Sequence, residues 1–230
     1  MPQRNIPVSG EIYHIYNRGV DKRTIFLDDS DYLRAMHDLF EFNDQEPAPN
    51  LSYHLNGSKE IGFAQRQRKT RKLLVEILAF CLMPNHFHLL VRQLKDRGVT
   101  DFMRKFGSGY TNYFNQRYTR SGSLFQGKYK YSHVKTEAQL LHMPMYIHMN
   151  PLSLSLPSWR EKKIHNAKDA IAYLERYRWS SFLDYVGIKN FPSITQRDFI
   201  MKLYGNTDRY KQETQRWLQE RTYDDITKLC

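Results

Sequence analysis

The chain has 230 residues, enough for one sizeable core with or without an appended subdomain. Apolar residues make up 40% and aromatic residues 14%, which excludes a disordered chain, and no run approaches the roughly 18 apolar residues that a membrane span needs. Lysine and arginine number 35 against 24 acids, a net charge of +11, so the expected partner is a polyanion, and nucleic acid is the usual one. The two cysteines, Cys81 and Cys230, form no metal-binding or disulfide framework, and Met1 to Asn5 carries no apolar signal region. The expectation is a soluble protein of a reducing cytoplasm.

In chain order, Glu11 to Gly19 is β-rich and ends on a glycine turn, so a strand is expected there, with His14 on the face of Ile12 and Tyr16, as a packed or phosphate-contacting residue rather than a ligand. Asp28 to Asp31 supplies cap residues for a helix carrying Tyr32, Leu33, Met36, Leu39 and Phe40, ending before Pro47. Residues 47–58 read as loop or a poorly formed strand. Arg66, Arg68, Lys69, Arg71 and Lys72 then form a basic run, either a solvated turn or a phosphate-contacting ribbon.

Leu73 to Leu82 is an apolar strand, Pro84-Asn85 a turn, and His86 to Arg92 a second strand, which makes an antiparallel hairpin. Side chains alternate along a strand, so His86 and His88 share one face while Phe87, Leu89 and Val91 take the other. Spacing leaves open whether the histidines are a metal pair or two half-buried hydrogen-bonded rings. A helix from Val99 carries Phe102, Met103, Phe106, Tyr110, Tyr113 and Phe114, weakened in the middle by Gly107 and Gly109. Ser121-Gly122 is a turn, and Leu124 to His133 alternates as an exposed strand with cations and aromatics interleaved.

Thr136-Glu137 opens a third helix that Asn150-Pro151 ends; Pro144 within it predicts either a kink or a helix that starts afresh. The order β-α-β-β-α-β predicts an α+β fold of ferredoxin-like split βαβ type, an antiparallel sheet with helices on one face. From about Ala167 the pattern is helical, over 169–177, 194–204 and 208–220. The expected organisation is a core domain over 1–157 and a helical C-terminal extension over 158–230 packed on it.

Tyr146 and Asn150 stand one helical turn apart on one face. Periodicity does not distinguish Tyr146 among 16 tyrosines. His86-Phe87-His88 after Met83-Pro84-Asn85, and Tyr146 before Asn150-Pro151, resemble the single-tyrosine HUH transposases, and more narrowly the REP-associated tyrosine transposases related to the IS200/IS605 enzymes. Tyr13 to Gly19, Gly122 to Lys130 and Arg178 to Phe182 extend the resemblance across residues 11 to about 187. It implies metal-dependent cutting and joining of single-stranded or hairpin DNA, such as repetitive palindromic elements, through a 5′-phosphotyrosine on Tyr146, in a prokaryotic, nucleoid-associated setting. His86 and His88, with Asn150 where relatives often carry Gln, would hold Mg²⁺ or Mn²⁺. Candidate DNA contacts are Arg18, Arg66, Arg68, Lys128 and Lys130 for phosphates and Tyr129 for stacking. Tyr110 and Tyr113 are rival nucleophiles lacking the following amide. A non-catalytic hairpin DNA- or RNA-binding module and a nuclease that uses metal-bound water are the competing readings. Relatives include monomers acting in cis and domain-swapped dimers, and the sequence allows both a monomer and a homodimer.

Overall fold

The computed structural model describes residues 6–47, 71–160, 164 and 166–220. Arg66, Arg68 and most of the loop expected at 47–58 lie outside the described residues. Four strands, β1 (Ile12–Arg18), β2 (Val75–Met83), β3 (His86–Gln93) and β4 (Lys130–Val134), form a sheet in the order β2-β3-β1-β4 with every neighbouring pair antiparallel. With α1 (Asp29–Glu41) linking β1 to β2, and α2 (Gly98–Arg117) linking β3 to β4, this is the α+β, ferredoxin-like arrangement.

Both crossover helices cover one face. Tyr13 and Ile15 of β1, Ile77, Phe80 and Leu82 of β2, and Phe87, Leu89 and Val91 of β3 pack with them in a single cluster. The Asp28 carboxylate caps α1 by accepting from the backbone N–H of Ser30 and Asp31, and α1 buries Tyr32, Ala35, Met36 and Leu39 while Leu33 turns to solvent. From the basic run, Arg71 stacks 3.5 Å over the Phe40 ring and donates to the Phe40 carbonyl, so this cation closes the C-terminal end of α1.

The two glycines do not interrupt α2. A methyl on Gly109 would lie 2.3 Å from the Phe42 ring, so that glycine lets the end of α1 approach α2, whereas a methyl on Gly107 would meet open space. The ten-residue strand expected over 124–133 is shorter: β4 starts at Lys130, because Leu124 and Phe125 turn inward and Gly127 adopts φ +75°.

The other face is covered by α3 (Glu137–Met149), α4 (Leu152–Ser155), α5 (Ala167–Arg176), α6 (Phe182–Tyr185), α7 (Asp198–Tyr204) and α8 (Thr207–Glu220), which share a core with Ala79, Cys81, Met83 and Leu90 of the sheet. Thr136 and Gln139 form a capping box, and α3 continues unbroken through Pro144 to Met149. The helix therefore does not start afresh at Pro144. Residues 177–196 also close the outer edge of β2. Leu82 donates to the Trp179 carbonyl, Ser181 donates to that of Phe80, Gln196 donates to that of Ile77, and the hydroxyls of Tyr177 and Tyr185 donate to the carbonyls of Leu82 and Leu78.

His148 joins the two parts of the chain. Fully buried, its Nδ1 lies 2.7 Å from the Tyr210 hydroxyl of α8 and its Nε2 lies 2.7 Å from the Ser181 hydroxyl. Desolvation pushes its pKa down to about 3, so the folded state holds it neutral.

Two outcomes follow from this packing. Because the folded His148 titrates below its unfolded value of about 6.5, its contribution is complete above that pH and is lost as pH falls toward the folded pKa, by about 3 kcal/mol at pH 4. Urea unfolding across pH 4–7 should show a shallower acid loss in His148→Gln than in the parent; equal slopes would remove His148 as a source of acid lability. In α2, Gly109→Ala should cost about 1–3 kcal/mol through the Phe42 clash, and Gly107→Ala should gain about 0.5–1 kcal/mol.

Candidate functional site

The hairpin turn that precedes His86 is held from outside. The Pro84 carbonyl accepts from the N–H of Ile25 and Phe26, the Asn85 carbonyl accepts from Gly19, and the Asn85 side-chain amide donates to the Lys22 carbonyl at 3.1 Å. A carbonyl only accepts, so Asn85 must present its NH₂ there and its Oδ1 to His86 Nδ1, at 2.6 Å. His86 then carries its proton on Nδ1, and a metal bond by His86 would use Nε2.

The β1–β3 register places Tyr16 opposite His88 and Arg18 opposite His86. Opposed side chains in an antiparallel pair share a face, so β1 contributes His14, Tyr16 and Arg18 to the histidine face. The His86 and His88 rings are 5.1 Å apart at 84°. The His14 ring lies nearly parallel to that of His88, at 15°, with its Nε2 2.8 Å from His88 Nδ1, and burial pushes the His14 pKa down to about 4, which keeps the ring neutral.

Tyr146 comes down on this face from α3. It is 4% exposed, with its ring 5.9 Å from His14 and 6.1 Å from His88, both edge-on, and 6.5 Å from Trp159. Tyrosine and histidines thus meet within one chain. One turn later, Asn150 is fully buried and its Nδ2 donates to the carbonyls of Tyr146 and Ile147, so ligation by Asn150 would be through Oδ1.

The donors fit a divalent ion in their chemistry: two imidazoles whose Nδ1 atoms already have partners, and the amide oxygen of Asn150, whose described hydrogen bonds are to its own helix. Cys81 sits opposite His88 on β2, but burial pushes its thiol pKa well up, so it is no thiolate donor. Among the described residues no group of three or more His, Cys, Asp or Glu side chains gathers as a metal site. The candidate ligand set therefore depends on the amide.

The remaining sequence candidates divide between two surfaces. Arg18 and Lys130 are exposed on the histidine face, with Lys130 opposite Tyr16 across the β1–β4 ladder. Lys128 and Tyr129 instead line a cleft of about 720 Å³ beside α2, with Arg104, Thr100 and Tyr131. The rival tyrosines are on the α2 side: Tyr110 is buried with its hydroxyl donating to the Ile25 carbonyl at 2.6 Å, and Tyr113 donates to Asp31 and accepts from Arg117. Burial pushes the Tyr110 phenol far above its usual range. The sequence suggests His14 as a packed or phosphate-contacting residue rather than a ligand and does not single out Tyr16; the signal that places both at the site is their alternation on a strand beside the His-x-His strand.

Residues 63–150 match the family model described as transposase, IS200-like. That span contains His86, His88, Tyr146 and Asn150. No curated protein matches the chain. Among solved structures, the chain is similar to one described as a REP-associated tyrosine transposase bound to a REP hairpin, at 12% identity and a TM-score of 0.49, covering 83% of this chain and 89% of that one. No helix among the described residues is long and apolar enough to cross a membrane.

The Tyr110 hydrogen bond is structural, so Tyr110→Phe should cost about 1–2 kcal/mol by stranding the Ile25 carbonyl. Urea unfolding measures it, and parental stability in the variant would remove that bond from the account of the core.

Proposed function

We propose that this chain is a metal-dependent single-stranded DNA endonuclease and strand transferase of the HUH single-tyrosine type, acting on hairpin-associated DNA. The observation that carries the reading is the meeting of Tyr146 with His88 on the sheet face that also holds His86. The family match over 63–150 and the charge of +11 support it.

Tyr146 Oη attacks the scissile phosphorus, the P–O3′ bond breaks, and the departing 3′ oxygen takes a proton while the phenol loses one. The products are a 5′-phosphotyrosine and a free 3′-OH. The new phosphodiester keeps the energy of the old one, so a second 3′-OH displaces Tyr146 and reseals the strand. His86, His88 and Asn150 would hold a divalent ion, Mg²⁺ or Mn²⁺, which would supply charge neutralisation at the phosphate and help orient it for in-line attack. Arg18 and Lys130, exposed on this face, hold flanking phosphates. Lys128 and Tyr129, at the α2 cleft, engage DNA farther from the reacting bond, the tyrosine by stacking. Arg66 and Arg68 complete the proposed phosphate contacts.

One observation favours a second reading. Tyr146 is almost wholly buried against Trp159 and the histidines, as a structural aromatic would be. In that case the protein binds hairpins without cutting, or water attacks in place of the phenol.

The experiment incubates the full chain with end-labelled hairpins from DNA flanking its gene, with Mn²⁺ or Mg²⁺, and resolves products on a denaturing protein gel. The expected result is a covalent adduct bearing the 3′ label, dependent on metal, lost in Tyr146→Phe, and reduced at least tenfold in His86→Ala and His88→Ala. Binding with no adduct turns the assignment to the hairpin-binding module. Metal-dependent cutting that survives Tyr146→Phe assigns a hydrolase.

A further inference from the structure

His86 and His88 are held by different kinds of partner. Asn85 is locked by the Lys22 carbonyl and presents only an acceptor to His86 Nδ1, which fixes the His86 tautomer. At Nδ1, His88 instead meets another imidazole. Between His14 Nε2 and His88 Nδ1, 2.8 Å apart, lies one proton, and either ring can own it. If His14 owns it, the neutral His88 carries its hydrogen on Nε2 and has no lone pair there to give. If His88 owns it, Nε2 is a donor to metal, and the hydrogen of neutral His14 moves to its Nδ1.

We propose that His14 is a positioning residue that accepts from His88 Nδ1–H and thereby turns the His88 Nε2 lone pair to ligation. The inference rests on the reading of His86 and His88 as metal ligands. Three observations carry it. The rings are nearly parallel, at 15°, and the pair is buried, His14 at 1% exposure and His88 at 7%, so water does not replace the bond. His14 Nδ1 is buried with no hydrogen-bond partner, an unfavourable arrangement of about 1–3 kcal/mol of the kind that persists where a site uses it. Ser132, directly opposite His14 on β4, also has a buried hydroxyl with no hydrogen-bond partner. His14 touches Tyr146 edge-on as well, so one side chain sets both the ligand and the packing of the nucleophile.

The test needs no DNA and no turnover. Long-range ¹H–¹⁵N imidazole spectra of the metal-free full chain at neutral pH should show His88 protonated on Nδ1 and bare on Nε2. Mn²⁺ titration followed by the electron paramagnetic resonance of the free ion should show tenfold or greater weakening in His14→Phe, which keeps a ring but has no acceptor. In His14→Gln, whose Oε1 can accept the same hydrogen bond, affinity should recover to within about threefold. An Nε2–H tautomer of His88 in the wild-type chain overturns the proposal, as does a folded His14→Phe that binds Mn²⁺ like the parent. His88→Ala separates this from the reading beneath it. Parental Mn²⁺ affinity in His88→Ala sinks the metal centre, whereas lost affinity there with parental affinity in His14→Phe sinks only the role of His14. Should His14→Phe fail to fold, the wild-type tautomer decides alone.

Discussion

A β-strand has two faces, and β3 uses them for different purposes because both are covered. Phe87, Leu89 and Val91 join the aromatic core under α1 and α2, and His86 and His88 look toward α3. A slip of one residue in the β1–β3 register would exchange these sets, putting imidazoles into the core and Phe87 against Tyr146. The apolar face therefore enforces the geometry of the polar one. The Pro84-Asn85 turn, held by Gly19, Ile25 and Phe26, pins the same register at its end.

The C-terminal helices belong to the same argument. His148 lies between Tyr146 and Asn150 along α3 but points to the other side of the helix, where Tyr210 and Ser181 meet its two ring nitrogens. Ser181 in turn accepts from the Phe80 N–H, so the helix bearing the tyrosine and the edge strand of the sheet share one hydroxyl. A neutral imidazole with both nitrogens bonded is a satisfied buried group, and rotation of α3 that moved Tyr146 off the histidine face would break both bonds. The helical C-terminal extension thus sets the azimuth of the helix that carries Tyr146.

The succession of strands and helices along the chain, both crossover helices and the common face of His86 and His88 were legible because they rest on local periodicity and turn chemistry. The failures share a cause. The expected strand over 124–133 alternates well, yet Leu124 and Phe125 find burial under α2, so tertiary packing overrides the pattern and leaves a β4 of five residues. Gly107 and Gly109 read alike in sequence, and only the approach of Phe42 distinguishes them. Arg71 reads as one more cation in a run until the Phe40 ring and carbonyl are beside it. His14 could be assigned to a strand, but its partner lies 74 residues away and depends on the register of strands not adjacent in sequence.

Charge is consistent with the proposed action on a phosphodiester. The named side chains of the site, His14, Tyr16, Arg18, His86, His88, Lys130, Tyr146 and Asn150, are neutral or cationic. If His86, His88 and Asn150 hold a divalent ion as proposed, two imidazoles and an amide would leave its charge uncompensated, unlike a carboxylate cage, and the negative groups completing the centre would come from the substrate. Burial works in the same direction. A phosphate entering beside the desolvated His14–His88 pair meets a lower dielectric than in water, where each attraction to a cation is stronger and each unpaired polar atom more costly. Under the proposed reading, the same burial makes a phosphate's entry costly unless a cation meets it there.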